Sequence, residues 1–441
     1  MWLPKCLVGL ARPSDVYTCY RLTLWLVFGL GIVPYLVTTR PKSGLRGSIF
    51  GFLNILIRML LYTFNFIYST MDEHTLLSNF FITDVSRITD GLQKFNGMFG
   101  VLAVLLSSLL MRRHFPHLLE QFADLEREAF PSVGIGFIQS HAAWKINRLN
   151  VLLLGPTVVY VTVSFAKIFT RNEVSVSLPA ASSFFSAHFL VCAGAMLFGG
   201  IMVKLCIYIT ALNEVLKNLA NQWDSRSIKA VQKQRSLQCL DSFSMYTIVT
   251  KDPAEIIQES MEIHHLICEA AATANKYFTY QLLTIISIAF LIIVFDAYYV
   301  LETLLGKSKR ESKFKTVEFV TFFSCQMILY LIAIVSIVEG SNRAIKKSEK
   351  TGGIVHSLLN KAKSPEVKEK LQQFSMQIMH LKINFTAAGL FNIDRTLYFT
   401  ISGALTTYLI ILLQFTSNSP GHHSNCCEAH NSTHQAANQT L

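Results

Sequence analysis

The sequence predicts an all-α, polytopic membrane protein with seven transmembrane helices. Three observations carry that reading. The 441 residues are 51% hydrophobic and only 15% charged, where soluble chains usually carry about 25% charge. The deficit concentrates in long apolar blocks separated by charged segments. The 39 Lys and Arg residues, against 28 acids, crowd every second segment between those blocks. That bias accounts for the net charge of +11 without any nucleic acid partner.

Seven apolar runs, at residues 49–70, 93–111, 150–168, 183–212, 278–305, 318–338 and 396–415, reach or approach the ~20 residues that cross a bilayer. An eighth run, LTLWLVFGLGIVPYLVT at 22–38, has 17 residues and contains Gly29, Gly31 and Pro34. Helix-weakening residues in so short a run predict a re-entrant or interfacial segment rather than a span.

Lys and Arg set the orientation. With a cytoplasmic N-terminus, the inner segments 1–48, 112–149, 213–277 and 339–395 hold 28 basic residues, and the outer segments 71–92, 169–182, 306–317 and 416–441 hold 7. This predicts the N-terminus inside and the C-terminus outside. The loop GKSKRESKFK at 306–315 runs against the pattern, carrying five of those seven. The outer tail holds two glycosylation sequons, at Asn431 and Asn438. A third, at Asn384, falls inside. The resulting organisation is a cytoplasmic stretch 1–48, spans one to six and their connecting helices at 49–338, anchor helices at 339–395, a last span at 396–415 and an extracellular tail at 416–441. The outside C-terminus argues against a G-protein-coupled receptor, as does the absence of DRY-type and NPxxY motifs.

The inner segments are patterned as helices. In KDPAEIIQESMEIHHLICEAAATANKYF, Asp252 is placed as N-cap, Pro253 at the first helical position and Glu255 in the first turn. This helix is expected to run unbroken into the fifth span. Ser364-Pro365-Glu366 opens another by the same logic, with an apolar stripe of Val367, Leu371, Phe374, Ile378 and Leu381. Before it, GGIVHSLLN is expected to start after a flexible Gly352-Gly353. Such amphipathic faces need partners. A single subunit offers little to bury them against, which predicts an oligomer with a shared cytoplasmic bundle; packing within one chain is the alternative. Residues 225–250 show weak periodicity.

Arg58, Lys204 and Asp296 interrupt apolar runs, where charges face a cavity, a partner or the interface. Arg58 is too central to snorkel; Lys204, toward the inner end of the fourth span, is expected to do so. Asp296 lies near the outer end of the fifth span beside Tyr298 and Tyr299. The sixth span places Phe319, Phe322, Phe323 and Gln326 at comparable depth. Asp296, Tyr299, Phe322 and Gln326 are therefore candidate ligand-binding residues, with an interfacial aromatic belt as the alternative.

The nine cysteines form no CxxC pair. His264 and His265 point about 100° apart on a helix and make a poor ligand set with Cys268. HHSNCCEAH at 422–430 reads as a solvated tail with a disulfide. Nothing calls for a metal, a cofactor or an enzyme: there is no nucleotide-binding loop, triad spacing or zinc-protease motif.

In the last span, TTYLIILLQF, residues Thr407, Ile411, Gln414 and Phe415 recur at i, i+4, i+7 and i+8 on one face, with Tyr408 beside it. A Gln in lipid needs a partner or water. The face suits either a constriction around a symmetry axis or interhelical contacts. Thr407-Tyr408-LIILL-Gln414-Phe415 resembles the TYhhhhhQF signature that insect gustatory receptors carry in their final span. The likeness extends over nearly the whole chain: seven spans, inverted topology, a short apolar segment before the first span and long cytoplasmic helices before the last.

That resemblance implies a homotetrameric or heterotetrameric cation channel in the plasma membrane of sensory neurons, gated by a small-molecule agonist. The last helices would line one pore, with Gln414 and Phe415 as its gate and Thr407, Tyr408 and Ile411 along its wall. Asp296 and Gln326 match pocket positions of the family's sugar receptors but carry a carboxylate and an amide, so sugar specificity does not transfer. The part of that family which the chain resembles most is linked to nucleosides, bitter compounds, warmth and light. A G-protein-coupled receptor and an ion-coupled transporter are the rival readings; no internal repeat supports the latter.

Overall fold

The computed structural model describes residues 13–38, 44–71, 84–170, 177–225, 238–240, 243–245, 251–305 and 316–417. Asn431, Asn438, the 422–430 stretch, the 306–315 loop and most of 225–250 lie outside the described residues.

The chain enters through α1 (Val16–Cys19), closed by a capping box in which Asp15 accepts from the Thr18 amide at 2.9 Å and Thr18 accepts from the Asp15 amide at 3.0 Å. Next, α2 (Arg21–Gly29) has nine residues, about 14 Å at 1.5 Å per residue and too short to cross. The chain leaves it through Gly31, whose φ of +76° is open to glycine, and a Cβ there would lie 2.5 Å from Arg58 Cδ. The hairpin β1 (Tyr35–Thr38) and β2 (Gly44–Gly47) follows, Tyr35 paired with Gly47. Arg58 explains itself here. Its Nη2 donates to the Gly29 carbonyl and its Nε to Asn54 Oδ1, while Asn54 donates to the Phe28 carbonyl at 2.7 Å. Residues of the first span thus satisfy the carbonyls that end α2.

Seven helices are long and apolar enough to cross a membrane among the described residues. They are α3 (Ile49–Met71), α4 (Asp84–Leu110), α7 (Gln139–Thr170), α8 (Leu178–Ser225), α9 (Pro253–Leu304), α10 (Thr316–Lys361) and α12 (Thr396–Ser417). Between α4 and α7 lie α5 (His114–Asp124), a π turn (Leu125–Ala129) and α6 (Phe130–Ser132). The strand β3 (Ile135–Phe137) joins β4 (Gln238–Leu240) and β5 (Phe243–Met245) in an antiparallel sheet ordered β3-β5-β4. The central helix is α8, packed against α3, α7, α9 and α10.

As the sequence predicts, Asp252 caps α9, accepting from the Ala254 amide, and the helix continues unbroken through the fifth span. Three expectations are corrected. Gly352-Gly353 does not interrupt the chain: α10 runs 46 residues straight through it, because its packing on the following helix offsets the ~1 kcal/mol that a helical glycine costs. The apolar stripe of α11 (Pro365–His380) is not left for another subunit. Val367, Leu371 and Phe374 are buried within the chain against α9 and α10, and Gln377 donates to the Met261 carbonyl at 2.9 Å. Long extensions of α9 and α10 supply those partners. Finally, Lys204 does not snorkel. It is fully buried, paired with Glu126 of the π turn at 2.7 Å and donating to Gln139 at 2.9 Å. Tyr208 donates to the same Glu126 oxygen at 2.9 Å. Two desolvated charges persist because they neutralise each other and Glu126 also accepts from Tyr208 and Gln139. Burial pushes the neighbouring Cys19 thiol up to about 11 despite Lys204, so it stays an inert thiol.

Between α11 and α12 the chain makes a small hairpin, β6 (Thr386–Ala387) and β7 (Phe391–Asn392), turning through Ala388 and Gly389 at φ of 50° and 72°. Asn275 and Thr279 of α9 hold its amides at 3.0 and 2.9 Å. Asp394 then caps α12, accepting from the Thr396 amide at 2.8 Å.

Candidate ligand chamber and last-helix face

Four helices bring polar atoms together at the end of the bundle where α9 and α10 meet α7 and α8. Pro156 lies inside α7 and removes one helical hydrogen bond one turn before Tyr160. The Tyr160 hydroxyl donates to Gln326 Oε1 at 3.1 Å. Gln326 and Tyr330 stand four residues apart on one face of α10. His188 of α8 stacks between Tyr160 and Tyr330, ring centres 5.5 and 5.0 Å away. From α9 comes Asp296, fully buried and close enough to act electrostatically on both Tyr160 and Tyr330.

The polar inventory is not closed. Both Asp296 carboxylate oxygens, Gln326 Nε2, the Tyr330 hydroxyl and His188 Nε2 are buried without a hydrogen-bond partner among the described residues. Native interiors rarely leave such atoms unmatched, and these five gather in one part of the bundle. The adjoining cavity measures about 50 Å³ and is lined by Tyr62, Gln93, Lys94, Ser183, His188 and Gln326 among others. That holds a few waters but no drug-sized molecule, so this conformation is a narrow one. Phe184 and Phe322 form an aromatic wall, ring centres 6.1 Å apart. Beyond Tyr160 and Phe322 lies a mostly apolar groove of about 450 Å³ between α7 and α10.

Of the four ligand candidates read from the sequence, Gln326 lines the cavity, Asp296 lies one turn beyond its lining residue Ile292, and Phe322 packs on the lining Phe184 while itself facing the neighbouring groove. Tyr299 is fully buried and packs on Phe323, ring centres 5.3 Å apart, on the side of α9 toward α10. Tyr160, His188 and Tyr330 escaped the sequence reading. Each sits alone in an apolar run with the look of an ordinary membrane-helix residue, and only the fold assembles them.

The last helix is arranged in two faces. Leu405, Leu409, Leu412 and Leu413 pack against the rest of the chain. Two residues around, on the opposite side, Thr407, Ile411, Gln414 and Phe415 are exposed, Phe415 by 65%. Tyr408 borders that face and meets Phe290 of α9, ring centres 6.0 Å apart. Among the described residues no group of three His, Cys, Asp or Glu is placed to hold a metal ion.

Comparison with known proteins places this architecture. The family model described as 7tm chemosensory receptor matches residues 20–419. The chain belongs to that family. Gustatory receptor 28b of Drosophila melanogaster is 56% identical over 433 residues, covering 95% of this chain and 90% of that protein. Gustatory receptor 28a of the same fly is 30% identical over 421 residues, covering 92% and 93%. Among solved structures, the insect olfactory receptor OR5 from Machilis hrabei in complex with eugenol shares the fold. Its TM-score is 0.59 at 13% identity, across 91% of this chain and all of that one. This receptor is thus a seven-helix chemosensory protein, and the family expected from TYLIILLQF is the one found.

Proposed function

We propose that the receptor is one subunit of a ligand-gated cation channel in the plasma membrane of sensory neurons. Four copies, or copies mixed with related receptors, would surround a pore lined by α12. The observation that carries this reading is the division of α12: its leucine face is packed, while its Thr407–Gln414–Phe415 face has nothing over it among the described residues. A Gln facing lipid is costly; the same Gln facing a water-filled axis is not. Phe415, near the end of α12, would narrow that axis to an apolar ring that gates by dewetting. The excess of Lys and Arg in alternate segments supports an orientation with this ring near the outer surface.

Agonist would enter the chamber of Tyr160, His188, Asp296, Gln326 and Tyr330. Acceptor oxygens, amide and hydroxyl donors and an aromatic wall suit a small, flat, multiply hydrogen-bonding molecule. The eugenol complex of the olfactory relative supports a small-molecule ligand for the fold. Since the cavity is narrow here, agonist must favour a widened chamber, and it opens the channel only by binding that state more tightly. The test is Phe415→Ala in patch-clamp recording. Resting current should rise several-fold at equal surface density; an unstimulated current equal to the parent's would remove Phe415 from the gate.

A further inference from the structure

Arg58 caps α2, yet the cap does not use up its charge. Both acceptors it meets, the Gly29 carbonyl and Asn54 Oδ1, are neutral. Among the described residues no carboxylate lies within 4.0 Å of it. A guanidinium carries five N–H donors in a planar fork, and intramembrane charges are retained where something pairs them.

A cavity of about 200 Å³ opens against Arg58 between α3, α4 and α8. Its walls include Leu61, Val101, Leu105 and Leu190, with the hydroxyls of Ser182 and Ser186 on one side. It is separate from the ligand chamber, although Tyr62 lines both. One cation without a counter-charge at one end and an apolar slot at the other match an amphiphile with an anionic head. Arg58 is nine residues from the start of α3 and 13 from its end, about 14 and 20 Å along the helix. That depth is below headgroup level from either side, which favours a free carboxylate over a lipid phosphate.

We propose that this cavity is a second binding site, for a medium-chain carboxylate. The carboxylate takes the open edge of the Arg58 fork, and the alkyl chain fills the leucine- and valine-lined slot. The site stands independently of the channel reading, because its test is binding alone.

The measurement is binding of radiolabelled octanoate to the purified receptor in phosphatidylcholine nanodiscs, with empty discs as background. Saturable binding is expected, displaced by decanoate and not by octan-1-ol. Arg58→Gln and Leu61→Trp should each weaken it about tenfold or more, and Arg58→Lys should restore most of it, since a point charge keeps the attraction and loses the fork. Leu61 is half exposed at the cavity mouth. A tryptophan there closes the slot without touching the α2 cap, so the test survives if Arg58→Gln fails to fold. Counts no higher than empty discs, equal displacement by octan-1-ol, or parental binding in Leu61→Trp would overturn the proposal. So would loss of octanoate binding when phosphatidylglycerol is added to the discs, which would give Arg58 to a lipid headgroup.

Discussion

Two helices of this receptor read alike in sequence and live differently in the fold. In α8, 89% of the apolar stretch is buried inside the chain; in α12 the share is 6%. Both are long and apolar where they cross, Lys204 being the one Lys, Arg, Asp or Glu of the fourth apolar run, 183–212, and the last helix having none. Small residues in α8, such as Gly194 and Gly199, let Ile285 and Leu149 lie against its backbone, as helix packing in lipid requires. The last helix carries leucines on one side and Thr407, Ile411, Gln414 and Phe415 on the other. Hydropathy marks both as membrane helices, and only the arrangement of small and polar side chains says which one is packed all round and which one keeps an open face. Substitutions in the α8 environment should therefore be read in stability, and substitutions on the open face of α12 in function.

The largest stability effect belongs to the ion pair on α8. Lys204→Ala leaves Glu126 charged and buried beside Tyr208 and Gln139, a loss of about 3–5 kcal/mol. It should appear as a collapse of surface delivery and a large drop in melting temperature. Lys204→Met combined with Glu126→Leu should recover much of it, because the cost lies in the abandoned charge. A single variant that melts like the parent would show that water reaches the pair and that α8 is less buried than its packing implies.

A middle effect tests the junction of the entry segment with α3. A Cβ on Gly51 would lie 2.6 Å from the Pro34 carbonyl oxygen and 2.8 Å from Pro34 Cα. Backbone cannot swing aside as a flexible side chain does, so Gly51→Ala should cost about 1–3 kcal/mol. Thermal melting of the purified protein measures it. A neutral result would mean that the α2–hairpin unit is not docked as described.

The parts legible in the sequence are those with local signatures. The seven spans follow from run length, the start of α9 from Asp252-Pro253, and the two faces of α12 from spacing. What stayed hidden depends on residues far apart in the chain. Lys204 and Glu126 are 78 positions apart, Tyr160 and Gln326 are 166 apart, and neither member announces the other. The β6–β7 hairpin is short, and its hold comes from Asn275 and Thr279 on another helix. The stripe of α11 was visible, but its partners were not, since amphipathicity tells that a face is covered and never by what.

The finest version of the comparison fits within α12. Leu409 packs against the cluster formed by Tyr298, Tyr299 and Phe323, whereas Ile411, two residues on, is 40% exposed. In lipid no hydrophobic driving force favours either contact, so each is worth its packing alone. Leu409→Ala should cost ~1 kcal/mol in lost dispersion contacts. Ile411→Ala should stay within about 0.5 kcal/mol, as for a side chain with few neighbours. Melting of the two variants in the assembled receptor is the measurement, and its value lies in the difference. If Ile411→Ala costs as much as Leu409→Ala, the open face is packed tightly against protein in the assembly. The polar groups of Thr407 and Gln414 would then be contacts between helices, not the wall of a pore. If only Leu409→Ala registers, the face borders water or lipid, and the cost of Gln414 in lipid favours water.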